Sequence, residues 1–135
     1  MSASPGGPPQ FLFQRPLPPD PTSLVQEILT WGVREGATDL HFSPLSGGPV
    51  IRARLDGILR DVVPLGIDQY PKVISRLKVL ADVDIAEKRR PQDGRISWEL
   101  DGRAVDFRLS CISTLHGESV VLRVLDREKG LRSLD

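Results

Sequence analysis

Hydrophobic and polar residues alternate most regularly in the last third of the chain. Ile96, Trp98 and Leu100 interleave with Arg95, Ser97 and Glu99; beyond Asp101-Gly102, Val105, Phe107, Leu109 and Cys111 interleave with Asp106, Arg108 and Ser110. A period of two marks half-buried strands, and Asp-Gly between two such runs predicts a two-residue type I′ hairpin. That turn sets the register. Trp98 falls opposite Val105 and Ile96 opposite Phe107 on one face, with Ser97 opposite Asp106 and Arg95 opposite Arg108 on the other. A third strand, Glu118 to Leu125, returns through Thr114-Leu115-His116-Gly117. A four-residue loop there pairs Arg108 with Arg123, whereas a loop one residue longer or shorter turns Arg123 to the opposite face.

Upstream, Val25, Ile28, Leu29 and Val33 recur at helical spacing between a Ser23 N-cap, with Gln26 three residues on, and Gly36. They predict a helix over Leu24 to Glu35. Thr38 to Phe42 reads as a short strand, and Val50 to Leu55 and Ile58 to Val63 flank Asp56-Gly57, a second hairpin signal that sets Arg52 opposite Asp61. Asp68 is placed to cap a second helix with an apolar stripe of Tyr70, Val73, Ile74, Leu77, Leu80 and Ala81. Lys72, Arg76 and Lys78 fall mostly on its wet side and read as a solvated surface. Met1 to Pro21 holds seven prolines and little that could form a core, so it is expected to be an extended, mobile tether. Phe11, Leu12 and Phe13 within it are either a docking segment for a partner or plain apolar residues in a tail.

Charge narrows the possible partners. Eighteen Lys and Arg balance eighteen Asp and Glu in 135 residues, so no global field draws the chain to nucleic acid or an anionic membrane, and any anion site is local. The lone cysteine, Cys111, allows no intrachain disulfide, suits a reducing cytosol and reads as a small buried hydrophobe. No run approaches the ~20 apolar residues of a membrane span, and no basic region precedes an apolar core at the N-terminus. The expectation is a soluble, cytoplasmic protein with one domain of roughly 110 residues.

The candidate chemistry is sparse apart from one feature. His41 and His116 have no partner at chelating spacing, and Cys111 and His116 lack the third member of a nucleophilic triad. Ser75-Arg76-Leu77-Lys78 fits Ser-x-x-Lys by chance, with no companion motif. The phosphate-cradling Gly-x-x-x-x-Gly-Lys-[Ser/Thr] loop occurs nowhere, so this chain alone is not expected to hydrolyse nucleotides. The exception is the row Arg95, Arg108 and Arg123. Like charges placed opposite one another destabilise a sheet, and guanidinium forks suit phosphate or carboxylate. Either an anion sits over the row, or Glu99, Asp106 and Glu118 neutralise it in an exposed lattice.

Six ordered blocks add a resemblance: Gly36-Ala37-Thr38-Asp39-Leu40-His41, Arg52-Ala53-Arg54-Leu55-Asp56-Gly57, Ser75-Arg76-Leu77-Lys78-Val79, the run from Asp84 to Arg95 containing Arg89-Arg90-Pro91-Gln92-Asp93-Gly94, Gly102-Arg103-Ala104-Val105-Asp106, and His116-Gly117-Glu118-Ser119-Val120-Val121-Leu122-Arg123. From about Thr22 to Asp135 the chain resembles secretion ATPases of the general secretion pathway protein E type and their pilus-assembly relatives. The resemblance implies an α+β, PAS-like domain over residues 22–128, with a mixed, mainly antiparallel sheet flanked by two helices. It follows a disordered leader over 1–21 and precedes, at 129–135, the start of a linker to a motor domain that this chain lacks. In that family the domain folds over ATP and Mg held by the motor domain of a hexamer, and its arginines reach the terminal phosphates. The matching positions are Arg108, in Phe107-Arg108-Leu109-Ser110, and Arg123, in Leu122-Arg123-Val124-Leu125; Arg95 completes their row. The implied partners are the motor domain, neighbouring subunits and inner-membrane platform proteins, which would place the protein peripherally at that membrane. The short leader stands where many members carry a larger platform-docking region. Ser43 replaces a frequent Glu, and Cys111-Ile112-Ser113 replaces a stretch that usually includes Thr and Pro. The other readings are a stand-alone anion or nucleotide sensor, and an adaptor binding a full-length relative.

Overall fold

In the computed structural model, which describes residues 11–126, the chain runs α1 (Pro21–Glu35), β1 (Asp39–Leu45), β2 (Gly48–Leu55), β3 (Ile58–Pro64), α2 (Tyr70–Leu80), β4 (Gln92–Leu100), β5 (Arg103–Thr114) and β6 (Gly117–Asp126). The class is α+β. Its six strands form one open sheet in the order β3-β2-β1-β6-β5-β4, with every pairing antiparallel. Two three-stranded meanders thus meet where β1 pairs with β6, and α2 lies in the connection that carries the chain from one edge of the sheet to the other.

Both Asp-Gly hairpins form as the alternation requires. Asp56 and Gly57 have φ of 52° and 79°, and Asp101 and Gly102 have 53° and 76°, the paired left-handed conformation of a type I′ turn. Arg52 stands opposite Asp61, and Ile96 and Arg95 stand opposite Phe107 and Arg108. The turn between β5 and β6 is tighter than expected. Thr114 pairs with Gly117, leaving only Leu115 and His116 in the loop, but the ladder keeps the register that sets Arg108 opposite Arg123. β1 runs past Phe42 to Leu45 and makes a third hairpin with β2, which the broken pattern around Pro44, Gly47, Gly48 and Pro49 had concealed.

The helix starts differ from the sequence reading. α1 begins three residues early because Asp20, not Ser23, is the N-cap: its carboxylate accepts the Ser23 backbone N–H at 2.9 Å, and Pro21 presets the first turn. In α2 the N-cap is Gln69 rather than Asp68, and its side chain makes no capping bond. The Gln69 side-chain oxygen instead accepts the Gly66 N–H at 3.1 Å, closing the turn before the helix.

Both helices cover one face of the sheet. Gly32 of α1 leaves room for the Leu40 side chain, which would lie 2.9 Å from an added Cβ, and Leu40, Phe42, Ile51, Phe107, Leu109 and Leu122 are buried beneath the helices. The leader is corrected at its inner end. Phe13 is buried in this core, edge-on to Trp31, and donates its N–H to the Val62 carbonyl at 3.0 Å, so the segment straps the β3 edge rather than standing clear. Arg15 lies over the Phe13 ring and pairs with Glu27 of α1. Residues 1–10 and 127–135, with the first part of the leader and the expected linker, lie outside the described residues.

Gly94 marks the closest approach of β4 to the end of α2. A Cβ there would meet Val83 Cγ1 at 2.7 Å and the Ala81 carbonyl oxygen at 2.9 Å. Gly94→Ala is therefore expected to cost about 1–3 kcal/mol in urea unfolding, the usual penalty of overpacking. A loss below about 0.5 kcal/mol would show that the segment yields instead.

Candidate anion-binding face

The face turned away from the helices carries one continuous row of charge. Strand registers align Arg95 of β4, Arg108 of β5, Arg123 of β6, Asp39 of β1 and Arg54 of β2. Residues directly opposite one another share a face, so the three predicted guanidiniums are brought together. All three are exposed. Among the described residues neither Arg95 nor Arg108 makes a side-chain hydrogen bond or ion pair.

Arg123 differs. Its Nε donates to Asp39 Oδ1 at 3.2 Å, while Asp39 Oδ2 accepts from Arg54 Nε, also at 3.2 Å. One proposed neutraliser is thus corrected: Glu118 is on the other face, whereas Glu99 and Asp106 share the face of the row, with Asp106 buried and itself engaged. The carboxylate bonded to Arg123 is Asp39, 8% exposed at its side chain, which the sequence reading had passed over. Glu118 shares its parity with the buried Val120 and Leu122, which points it at the helices. Arg52 is paired with Asp61 at 3.1 Å as expected. His41 lies between Arg52 and Val121 on the same face. Partial burial holds its pKa below the usual value, so the ring is a weak base.

On the helical side, Lys78 is not on the wet surface. Only 1% of its side chain is exposed, and its ammonium pairs with Glu118 and donates to the Glu87 carbonyl at 2.9 Å. The Cys111 thiol donates to the same Glu118 carboxylate at 3.3 Å, and burial followed by that bond pushes its pKa up to about 11. It is a poor nucleophile at neutral pH. The Tyr70 hydroxyl lies between the Phe42 and Glu118 carbonyls, with burial raising its pKa too. Gln92 reaches back from β4: its carboxamide accepts the Asp84 N–H at 3.0 Å and donates to the carbonyls of Asp84 and Glu87. Much of the Asp84-to-Arg95 motif therefore fastens a loop to the core.

A cleft of about 600 Å³ opens beside this cluster, between the start of α2 and the β1–β2 and β5–β6 turns. Several of its polar walls are committed internally: Thr114 Oγ1 donates to the Gly117 carbonyl, Ser113 donates to the Lys88 carbonyl, and Glu118 is held by Lys78. It offers an anion less than the arginine row does. Among the described residues no cluster of His, Cys, Asp and Glu could hold a metal ion, and no helix is long and apolar enough to cross a membrane.

A family model described as "Type II/IV secretion system protein" matches residues 20–135. The chain belongs to this family. To the type II secretion system protein HxcR of Pseudomonas aeruginosa it is 44% identical over 112 residues, 83% of this chain and 24% of that protein. To the type II secretion system ATPase E of Vibrio cholerae it is 46% identical over 77% of this chain and 21% of that protein. The type IV pilus assembly ATPase PilB of Acinetobacter baylyi is 38% identical over 82% of the chain and 19% of its own length. This member of the secretion family thus spans about a fifth to a quarter of the relatives it matches. The part it represents carries the arginine row.

Proposed function

We propose that this chain is the module of a type II secretion or type IV pilus ATPase that precedes the motor, and that it works by presenting arginines to the phosphates of ATP held by a motor domain. One observation carries the reading: Arg95, Arg108 and Arg123 are exposed in a row on the side of the sheet away from the helices, and the first two have no acid partner among the described residues. Exposed like charges lined up across three strands are unfavourable unless an anion answers them, and a terminal phosphate offers oxygens matched to several forks at once. Arg108 and Arg123 are also the positions at which the motif resemblance puts phosphate contacts.

In this role the module does not supply the catalytic machinery. The motor would hold ATP and its Mg, and the guanidiniums would add positive charge where the leaving and transferred phosphoryl groups gather negative charge. Because the contact forms only when the sheet face closes onto the nucleotide, nucleotide state and module orientation become linked. Repeated around a hexamer at the cytoplasmic side of the inner membrane, that linkage would turn hydrolysis into movement for secretion or pilus assembly.

The reading is testable on the chain itself. Sodium tripolyphosphate, titrated at low ionic strength, should move the Arg108 and Arg123 Nε–Hε resonances together with a Kd on the order of millimolar, weak because no phosphate loop assists. The arginines of other faces should stay in place. Absence of any Arg108 or Arg123 response would remove the anion reading.

A further inference from the structure

We infer that Asp39 is a positioning residue of this site, aiming Arg123 rather than merely neutralising it; the inference rests on the anion reading of the row. Asp39 is almost wholly buried at the first position of β1, where the register puts it between Arg54 and Arg123. Each of its oxygens takes one Nε, Oδ1 from Arg123 and Oδ2 from Arg54. Arg54 is held a second time, its Nη1 donating to the Gly57 carbonyl at 3.2 Å in the β2–β3 turn. The carboxylate is therefore anchored on one side by an arginine that is itself tied to the backbone, and it grips the more exposed Arg123 with its other oxygen.

The manner of the grip matters. Nε is the inner edge of the guanidinium, so a bond there orients the plane while leaving the outer Nη hydrogens unspent. Arg123 makes no other side-chain hydrogen bond among the described residues, and its side chain is 67% exposed. Its outer edge is thus left without a partner among the described residues, on the face it shares with Arg108, its neighbour in the row. A carboxylate that blocked the site would occupy the outer fork; this one does not. Holding a long side chain in its binding rotamer beforehand removes part of the ordering cost when an anion arrives.

Positioning and neutralisation predict opposite results. If Asp39 only offsets charge, Asp39→Glu should bind as the unaltered chain does, and Asp39→Asn should bind more tightly because a negative charge has left a cationic face. If it positions, both fail: Glu keeps the charge but moves the carboxylate outward by a methylene, and Asn offers a single weaker acceptor. In the tripolyphosphate titration the Kd should rise about fivefold for each variant, with the Arg123 Nε–Hε signal displaced before any ligand is added and the Arg108 signal nearly unchanged. Asp39→Glu keeps the charge and serves where Asp39→Asn unfolds. An unchanged Kd in Asp39→Glu, or a tighter one in Asp39→Asn, overturns the inference while leaving the anion site intact. No response of Arg108 or Arg123 in the unaltered chain removes both.

Discussion

Arg108→Ala and Arg123→Ala, each in this chain joined to the motor region of a relative such as the Vibrio cholerae ATPase E, are expected to lower ATP turnover by about a hundredfold or more. Arginines aimed at a phosphoryl group in transfer are worth that much or greater in comparable machines. On the proposed reading the loss should appear in kcat more than in KM, because there the contact would be made when the face closes and not when nucleotide first binds. Lysine at either position should restore only part of the rate, since a point charge cannot fork across two phosphate oxygens. Stability should hardly change in Arg108→Ala, whose side chain is exposed and has no partner among the described residues, whereas Arg123→Ala should cost about 1 kcal/mol or more because it leaves the buried Asp39 Oδ1 without its donor. The two losses should also be less than additive, as expected for groups acting on one transition state. Turnover within about twofold of the parent in both variants would rule the arginines out of the reaction.

The second large effect concerns the buried pair. Lys78→Met alone should destabilise the chain by about 3–5 kcal/mol, because it strands the Glu118 carboxylate beneath α2. Glu118→Leu alone should cost a similar amount by stranding the ammonium. The double variant should recover most of the loss, since an apolar pair of like volume avoids the desolvation that the ions suffer. Lys78 also bonds the Glu87 carbonyl, so Lys78→Met and the double variant, but not Glu118→Leu alone, should share one defect, faster amide exchange around residues 84–92. Urea midpoints with a common slope give the cycle. Single losses under about 1 kcal/mol would mean that water reaches the pair and relieves it.

These two effects differ in how much of each was legible in the sequence. The arginine row could be read because period-two alternation and two-residue turns fix register, and register fixes which side chains share a face. Even a misjudged loop length between β5 and β6 did no harm, because the ladder lengthened symmetrically through Thr114 and Gly117. The ion pair was not legible. Helical periodicity put Lys78 with Lys72 and Arg76 mostly on the wet side, and nothing local says that such a lysine turns inward to a glutamate forty residues away. Glu118 was visible as an inward position of β6 by parity, yet its charge argued for the wet side. Gln92 gave no signal at all, since a carboxamide tying down a loop looks like any polar strand residue.

Asp39 was missed for a related reason. It lies at the start of a strand paired on one side with β2 and on the other with β6, and the β1–β6 pairing joins it to Arg123, more than eighty positions away. Short-range pattern determines the strands, the Asp-Gly turns, the hairpin partners and hence the alignment of Arg95, Arg108 and Arg123, because these depend on neighbours within a few residues or one tight turn. Only the tertiary structure decided that the two meanders join at β1 and β6, that Asp39 grips Arg123, that Lys78 and Glu118 meet inside, and that both described helices lie on one side of the sheet. Those outcomes depend on which distant surfaces bury each other best, a competition that local spacing does not record.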